Sequence, residues 1–220
     1  MGSLKCVAFD FDGVLVDSNE VKRHAYFEIF EPLGPIAGGL VTEALSGVRE
    51  RDRYQILAEI IGGARSAERL STGESDEELV SRYAREYNEI CEEHAATCPE
   101  VGGATDTLKS LNETYPLYVN SSTPDEPLER IVARRGWASY FRGVYGSGHA
   151  KARNLSRVLE REGASHSDCV FVGDREVDRA AAKLSGWRFV AIENPHNDFR
   201  EAPDQICRDL LEARTVILRL

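Results

Sequence analysis

Two carboxylates one residue apart, Asp10 and Asp12, form the segment Asp10-Phe-Asp12-Gly13-Val14 directly behind a short apolar run. Just past the end of a strand such a pair points the same way, and Gly13 permits the sharp turn that the spacing needs. Two like charges held together are costly unless a cation lies between them, and Mg²⁺ takes carboxylate and carbonyl oxygens. By itself the pair is equally the composition of an acidic turn. Three further groups bear on the choice: Ser121 and Ser122 behind a second apolar run, Lys151 behind a third, and Gly173-Asp174-Arg-Glu-Val-Asp178 behind a fourth. Singly, each is ordinary: serines after a strand are turn residues, and a lysine before a helix is a surface lysine.

The elements that must position these groups read as an α/β protein. Lys5–Phe9, Pro116–Asn120, Cys169–Val172 and Arg188–Ile192 are continuous apolar runs, and Gly143–Tyr145 is a weaker one. Continuous rather than alternating apolarity is the pattern of parallel strands covered on both faces. Amphipathic helices lie between them. One opens at Pro124-Asp125 and ends near Gly136, with Leu128, Ile131 and Val132 inward; another runs from about Ala152 to Gly163 around Leu155, Val158 and Leu159. The expected fold is a doubly wound, Rossmann-like parallel sheet. Ligands of such sheets gather beyond the carboxyl ends of the strands, where all four groups fall.

Residues 18–98 break the rhythm. They show helical stripes (Val41, Leu45, Val48; Tyr54, Leu57, Ile60, Ile61; Leu79, Tyr83, Tyr87, Ile90), with Gly62-Gly63 and Ser71-Thr72-Gly73 expected as turns between helices. The chain is therefore expected to comprise a catalytic core of residues 1–17 and 99–220 and an inserted α-helical cap domain of residues 18–98.

This combination resembles the haloacid dehalogenase-like superfamily, and within it the phosphoglycolate phosphatase and β-phosphoglucomutase-like group with a helical cap. The DxDGV motif falls on Asp10, Asp12, Gly13 and Val14, the hydroxyl motif on Ser121 with Ser122 as the alternative, the lysine motif on Lys151, and the GDxxxD motif on Gly173, Asp174 and Asp178. The resemblance implies a Mg²⁺-dependent phosphatase that hydrolyses a small phosphorylated metabolite, such as a sugar phosphate, through an aspartyl-phosphate. Asp10 would be the nucleophile and Asp12 the acid and base, while Ser121 and Lys151 would hold phosphoryl oxygens. Asp10, Asp12 (through its carbonyl), Asp174 and Asp178 would serve the metal. Gly13, Asn19, Lys22, Arg49 and Ser122 are expected to meet substrate, with Arg51 beside Arg49. Lys22 stands where β-phosphoglucomutase-like members often carry a histidine, which weakens the mutase reading. Ala152-Arg153 replaces the proline that often follows the lysine.

Two alternatives remain open at this level. A phosphosugar mutase shares the aspartyl-phosphate but passes it to a sugar hydroxyl. A non-enzymatic phospho-accepting domain also uses Asp, Ser/Thr and Lys on a similar sheet, but is shorter and has no helical insert. A halide-removing enzyme would not need Asp12.

Composition narrows the setting. A formal net charge of −10 opposes non-specific nucleic-acid binding. The longest apolar runs fall far short of the roughly 20 residues of a membrane span. The segment from Met1 to Lys5 has no separate basic and apolar signal regions. The five cysteines are odd in number and lack a CxxC pair. Cys6 and Cys169 read as buried thiols, and a reducing cytoplasm is expected. Oligomeric state is not legible from any of these features.

Overall fold

The computed structural model describes residues 4–46 and 52–220. Six strands, β1 (Cys6–Phe9), β2 (Leu117–Asn120), β3 (Phe141–Tyr145), β4 (Cys169–Gly173), β5 (Arg188–Ile192) and β6 (Ile206–Cys207), form one parallel sheet in the order β3-β2-β1-β4-β5-β6. The helices are α1 (Asn19–Phe30), α2 (Ala37–Leu45), α3 (Arg53–Ser66), α4 (Asp76–Ala95), α5 (Ala104–Asn112), α6 (Asp125–Arg134), α7 (Lys151–Glu162), α8 (Glu176–Ser185) and α9 (Leu210–Ile217). The chain divides into two compact units, Met1–Asn19 with Ala95–Leu220, and Glu20–His94.

Successive strand residues feed opposite layers, as the two-residue period of a strand dictates. On one face Val7, Phe9, Leu117, Val119, Val170 and Val172 pack with Leu108, Leu111, Leu128, Ile131 and Leu210 from α5, α6 and α9. On the other, Cys6, Ala8, Tyr118, Cys169 and Phe171 pack with Leu155, Val158, Ala181 and Ala182 from α7 and α8. Helices on both faces explain why these strands are almost wholly apolar: β1, β2 and β4 are buried throughout, with Asn120 at the end of β2 the polar exception. The fold is thus the expected doubly wound, Rossmann-like one. The strand at 206–207 is additional to the runs read from sequence. It has only two residues, and Ile206 is exposed at the sheet edge, so no apolar run marks it.

Register sets up the site. Phe9 lies beside Val119 on one side and Val172 on the other. The residues that follow these strands, Asp10, the Ser121 loop and Asp174, therefore leave the sheet from one edge.

The Glu20–His94 unit has its own core, in which Phe30, Val41, Leu57, Ile60, Ile61 and Leu79 are buried. Two expectations are corrected here. Gly62 and Gly63 do not form a turn: they lie inside α3. A Cβ on Gly63 would stand 2.7 Å from Leu40 Cδ2, so this glycine allows α2 to approach α3 closely. Tyr54, grouped with the inward stripe of α3, is instead 51% exposed. Val48 lies outside the described residues.

Candidate active site

The segment Asp10–Val16 turns back on itself at once. Leu15 and Val16 N–H donate to Phe11 O, and Gly13 N–H donates to Val16 O at 2.8 Å. Gly13 has φ +77°, and a Cβ there would stand 2.3 Å from Asp174 Oδ2 and 2.5 Å from Asn19 Nδ2. The glycine is required both by its left-handed backbone and by the carboxylate lying against it. Gly13→Ala is expected to displace Asp174 and lower turnover by about 10²-fold, the scale of a one-ångström misplacement. Steady-state kinetics would show this, and unchanged turnover would remove the steric argument.

Four charged groups from three segments meet at this edge. Asp174 and Asp178 are fully buried, Asp10 is 6% exposed and Lys151 is 8% exposed. Lys151 Nζ, at the first turn of α7, lies 2.9 Å from Asp10 Oδ1 and 2.5 Å from Asp178 Oδ1. Phe11 N–H also donates to Asp10 Oδ1, at 2.8 Å. Both donors therefore use one oxygen of Asp10 and leave Oδ2 to face elsewhere. The second oxygen of Asp178 accepts from Arg175 N–H at 3.1 Å. Asp174 Oδ2 accepts from Asn194 at 2.8 Å and from Asn19 at 3.4 Å. Its Oδ1 is buried and has no hydrogen-bond partner among the described residues.

Burial sets the electrostatics. It pushes Asp10 up to about 7, with Asp178 adding to the rise and Lys151 opposing it. Burial and then Asp10 raise Asp174 to about 6. Burial likewise raises Asp178, against the pull of Lys151. Burial alone would push Lys151 down, but Asp10 and Asp178 outweigh it and hold the ammonium firmly charged. One lysine faces three acids, so the ionised cluster has excess negative charge with little water to screen it.

A divalent cation fits these residues. Asp10, Asp174 and Asp178 offer ligand atoms all within 4.8 Å of one another. The donors are hard oxygens, and the orphaned Asp174 Oδ1 lacks what a cation would supply.

Asp12 stands apart from that acid trio. Its Oδ1 accepts from Ser18 Oγ at 2.6 Å, and its Oδ2 accepts from Thr123 Oγ1 at 3.1 Å and Ser121 Oγ at 3.5 Å. Of the two serine candidates, Ser121 is buried against Asp12 and Ser122 is exposed. Lys22 lies half-buried on α1 in the other compact unit. Arg49 and Arg51 lie outside the described residues.

Sequence reasoning missed several supporting groups. Ser18 and Thr123 hold Asp12, and Asn194 holds Asp174. Asn154 Nδ2 donates to Asn120 Oδ1 and Gly146 O, both at 3.1 Å, while Asn120 Nδ2 donates to Lys151 O at 3.1 Å. This buried amide pair ties the end of β2 to the first turn of α7. A usable signal existed for Asn194: it follows β5 at the same sheet edge as the acids. For Asn154 the signal was its place one helical turn after Lys151.

An acid-rich centre with a buried lysine, at the carboxyl edge of a parallel sheet, defines an α/β enzyme. The family model for haloacid dehalogenase-like hydrolases matches residues 4–186, and the chain belongs to that family. It is 26% identical over 220 residues to the phosphoglycolate phosphatase of Escherichia coli K12, covering 91% of this chain and 85% of that protein. Among solved structures, CbbY from Rhodobacter sphaeroides in complex with phosphate superposes with a TM-score of 0.70 at 19% identity, over 99% of this chain and 100% of that one. YfnB from Bacillus subtilis, bound to magnesium, gives 0.69 at 18%, over 99% and 100%. No helix among the described residues is long and apolar enough to cross a membrane.

Proposed function

We propose that this protein is a Mg²⁺-dependent phosphatase that hydrolyses a small phosphorylated metabolite through a phosphorylated Asp10. The observation that carries the reading is the buried trio of carboxylates around one lysine, with one oxygen of Asp10 turned away from its donors. Asp10 Oδ2 attacks phosphorus; the new O–P bond forms as the ester O–P bond breaks. Asp12 gives its proton to the departing oxygen, then takes one from the water that attacks the aspartyl-phosphate, releasing phosphate and restoring Asp10. Its three hydroxyl neighbours give it hydrogen-bonding partners in either protonation state. Lys151 and Ser121 hold phosphoryl oxygens, and Lys151 favours the ionised form of Asp10, opposing the rise that burial causes. Asp10, Asp174 and Asp178 would hold the metal, with the Asp12 carbonyl as a further oxygen. When bound, Mg²⁺ would offset the acid cluster's charge and that of the phosphoryl group.

The helical unit, with Lys22 and Arg49, is where we place substrate selection, and Gly13, Asn19 and Ser122 border the phosphoryl end. Phosphoglycolate is the first substrate to assay, because the curated relatives bear that name. Cysteines that form no disulfide suit a cytoplasmic setting. Purified protein is expected to release inorganic phosphate from an aryl phosphate in Mg²⁺, to stop in EDTA and to resume when Mg²⁺ is restored. Full turnover in EDTA, or conversion of a sugar phosphate to its isomer with no phosphate released, would overturn the reading.

The acid cluster also predicts how the metal-free protein responds to pH. Asp10 and Asp174 are raised to about 7 and about 6 from the ordinary carboxylate range. Between about pH 4 and 7 the folded state therefore binds more protons than the unfolded state, and these groups' contribution to stability is lost as pH rises. In EDTA the melting temperature is expected to be lower at pH 8 than at pH 5.5, and Mg²⁺ should narrow the gap. A midpoint that rises from pH 5.5 to 8 in EDTA would contradict the cluster's electrostatics.

A further inference from the structure

The segment behind β5 grips the acidic motif at consecutive residues. Asn194 Nδ2 donates to Asp174 Oδ2 at 2.8 Å. Asn197 Nδ2 donates to the backbone carbonyls of Asp174 and Ile192 at 2.7 and 3.1 Å. Asp198 accepts from Arg175 Nη2 at 2.9 Å and from Glu176 N–H at 2.8 Å. The segment also braces itself: Asn194 N–H donates to Asn197 Oδ1 at 3.0 Å, and His196 N–H donates to Asn194 Oδ1 at 2.8 Å.

The last contact settles how the Asn194 amide is oriented. With Oδ1 accepting from His196, its NH₂ must face the carboxylate. Flipping the amide would set oxygen against carboxylate and NH₂ against N–H. Asp174 thus has one oxygen tied down by Asn194, with Asn19 at 3.4 Å, and one buried oxygen with no hydrogen-bond partner among the described residues. Gly13 closes off the tied side, since even a Cβ there would meet Oδ2 at 2.3 Å.

A carboxylate held this way can offer a cation one oxygen but not two. Mg²⁺ demands near-octahedral geometry with single oxygens, whereas Ca²⁺ readily accepts both oxygens of one carboxylate. We propose that Asn194 is a positioning residue that fixes Asp174 as a one-oxygen ligand and thereby favours Mg²⁺ over Ca²⁺. Asn197 and Asp198 hold the backbone at 174–176 to which that carboxylate is attached. The inference rests on the cation reading given under the proposed function.

Isothermal titration calorimetry without substrate tests it, using the full chain with MgCl₂ and, separately, CaCl₂. Wild type is compared with Asn194→Ala, the nearly isosteric Asn194→Leu, and Asp174→Asn. Loss of the group that orients a metal ligand costs about 10- to 100-fold in affinity. Both Asn194 variants are therefore expected to bind Mg²⁺ at least about tenfold more weakly, with a smaller change for Ca²⁺, so that the preference narrows. Asp174→Asn should bind neither ion measurably. If wild type binds Mg²⁺ and Asp174→Asn does not, yet both Asn194 variants keep the wild-type preference, the Asn194 assignment fails and the cation site stands. Equal losses for the two ions would leave Asn194 a structural role only and would also overturn the proposal. If wild type binds no Mg²⁺, the cation reading itself falls. Should Asn194→Ala fail to fold, Asn194→Leu decides, because it keeps the side chain's shape while removing the amide that meets Asp174 and His196.

Discussion

Asp10→Asn is expected to abolish phosphate release, by about 10⁴-fold or more, as loss of a nucleophile from a cooperating set does. The same change should leave the fold intact, which makes the prediction specific. Asn can present its oxygen to both Phe11 N–H and Lys151, the donors that now meet Asp10 Oδ1 at 2.8 and 2.9 Å. What disappears is the charge on an oxygen that must bond to phosphorus. Burial and the neighbouring Asp178 already disfavour that charge, so removing it relieves repulsion. In EDTA at pH 8 the melting temperature should match or exceed that of wild type, and it should depend less on pH. Near-normal turnover would remove Asp10 from the nucleophile role. Inactivity with a collapsed melting temperature would point to structure rather than chemistry.

Lys151→Met reverses the pattern: stability suffers first. The methionine stem fills similar space, but Asp10 and Asp178 lose the ammonium between them. Breaking a buried ion pair from one side costs about 3–5 kcal/mol. The loss should depend on pH in a set direction. Without the lysine, the folded-state carboxylates move further up, so folding takes up protons over a wider range and stability falls as pH rises. Urea unfolding in EDTA should place the variant near wild type at pH 5 and far below it at pH 8. A deficit independent of pH would mean that the lysine matters through packing alone. Phosphate release should fall as well, since Lys151 is also proposed to hold the phosphoryl group.

How far the sequence carried these expectations depended on the range of the interaction. β1, β2, β4 and β5 were legible because strands buried on both faces must be apolar at nearly every position, and the short loops behind β1 and β4 carry the acids. Asp10, Ser121, Lys151 and Asp174 could then be placed at one edge from the ligand rule for parallel sheets alone. Gly62-Gly63 misled because glycine has two uses, turning a chain and letting helices touch. Only the position of Leu40 tells which applies. Tyr54 fits the helical period yet faces outward at the first turn of α3, where the apolar stripe has not begun. Thr123 and Asn194 escaped notice because their partners, Asp12 and Asp174, lie 111 and 20 residues away. Both look locally like turn residues, and only the place of Asn194 just behind β5, at the edge of the acids, marked it out. The pairing of Ser18 with Asp12 spans six residues and needs the tight turn at Gly13 to be known first.

The central place of β1 governs when an active enzyme can exist. This strand emerges first during synthesis, yet the neighbour that completes its other side arrives much later; Cys6 and Cys169, side by side on β1 and β4, are 163 positions apart. A nascent chain halted before β4 can pair β1 with β2 and β2 with β3, but it has neither Asp174 nor Asp178 and so no acid trio. Such non-local closure is slow. Ribosome-bound chains released at successive lengths should remain inert at least until the end of α8 has emerged, so that catalytic competence reports on the arrival of the second neighbour of β1.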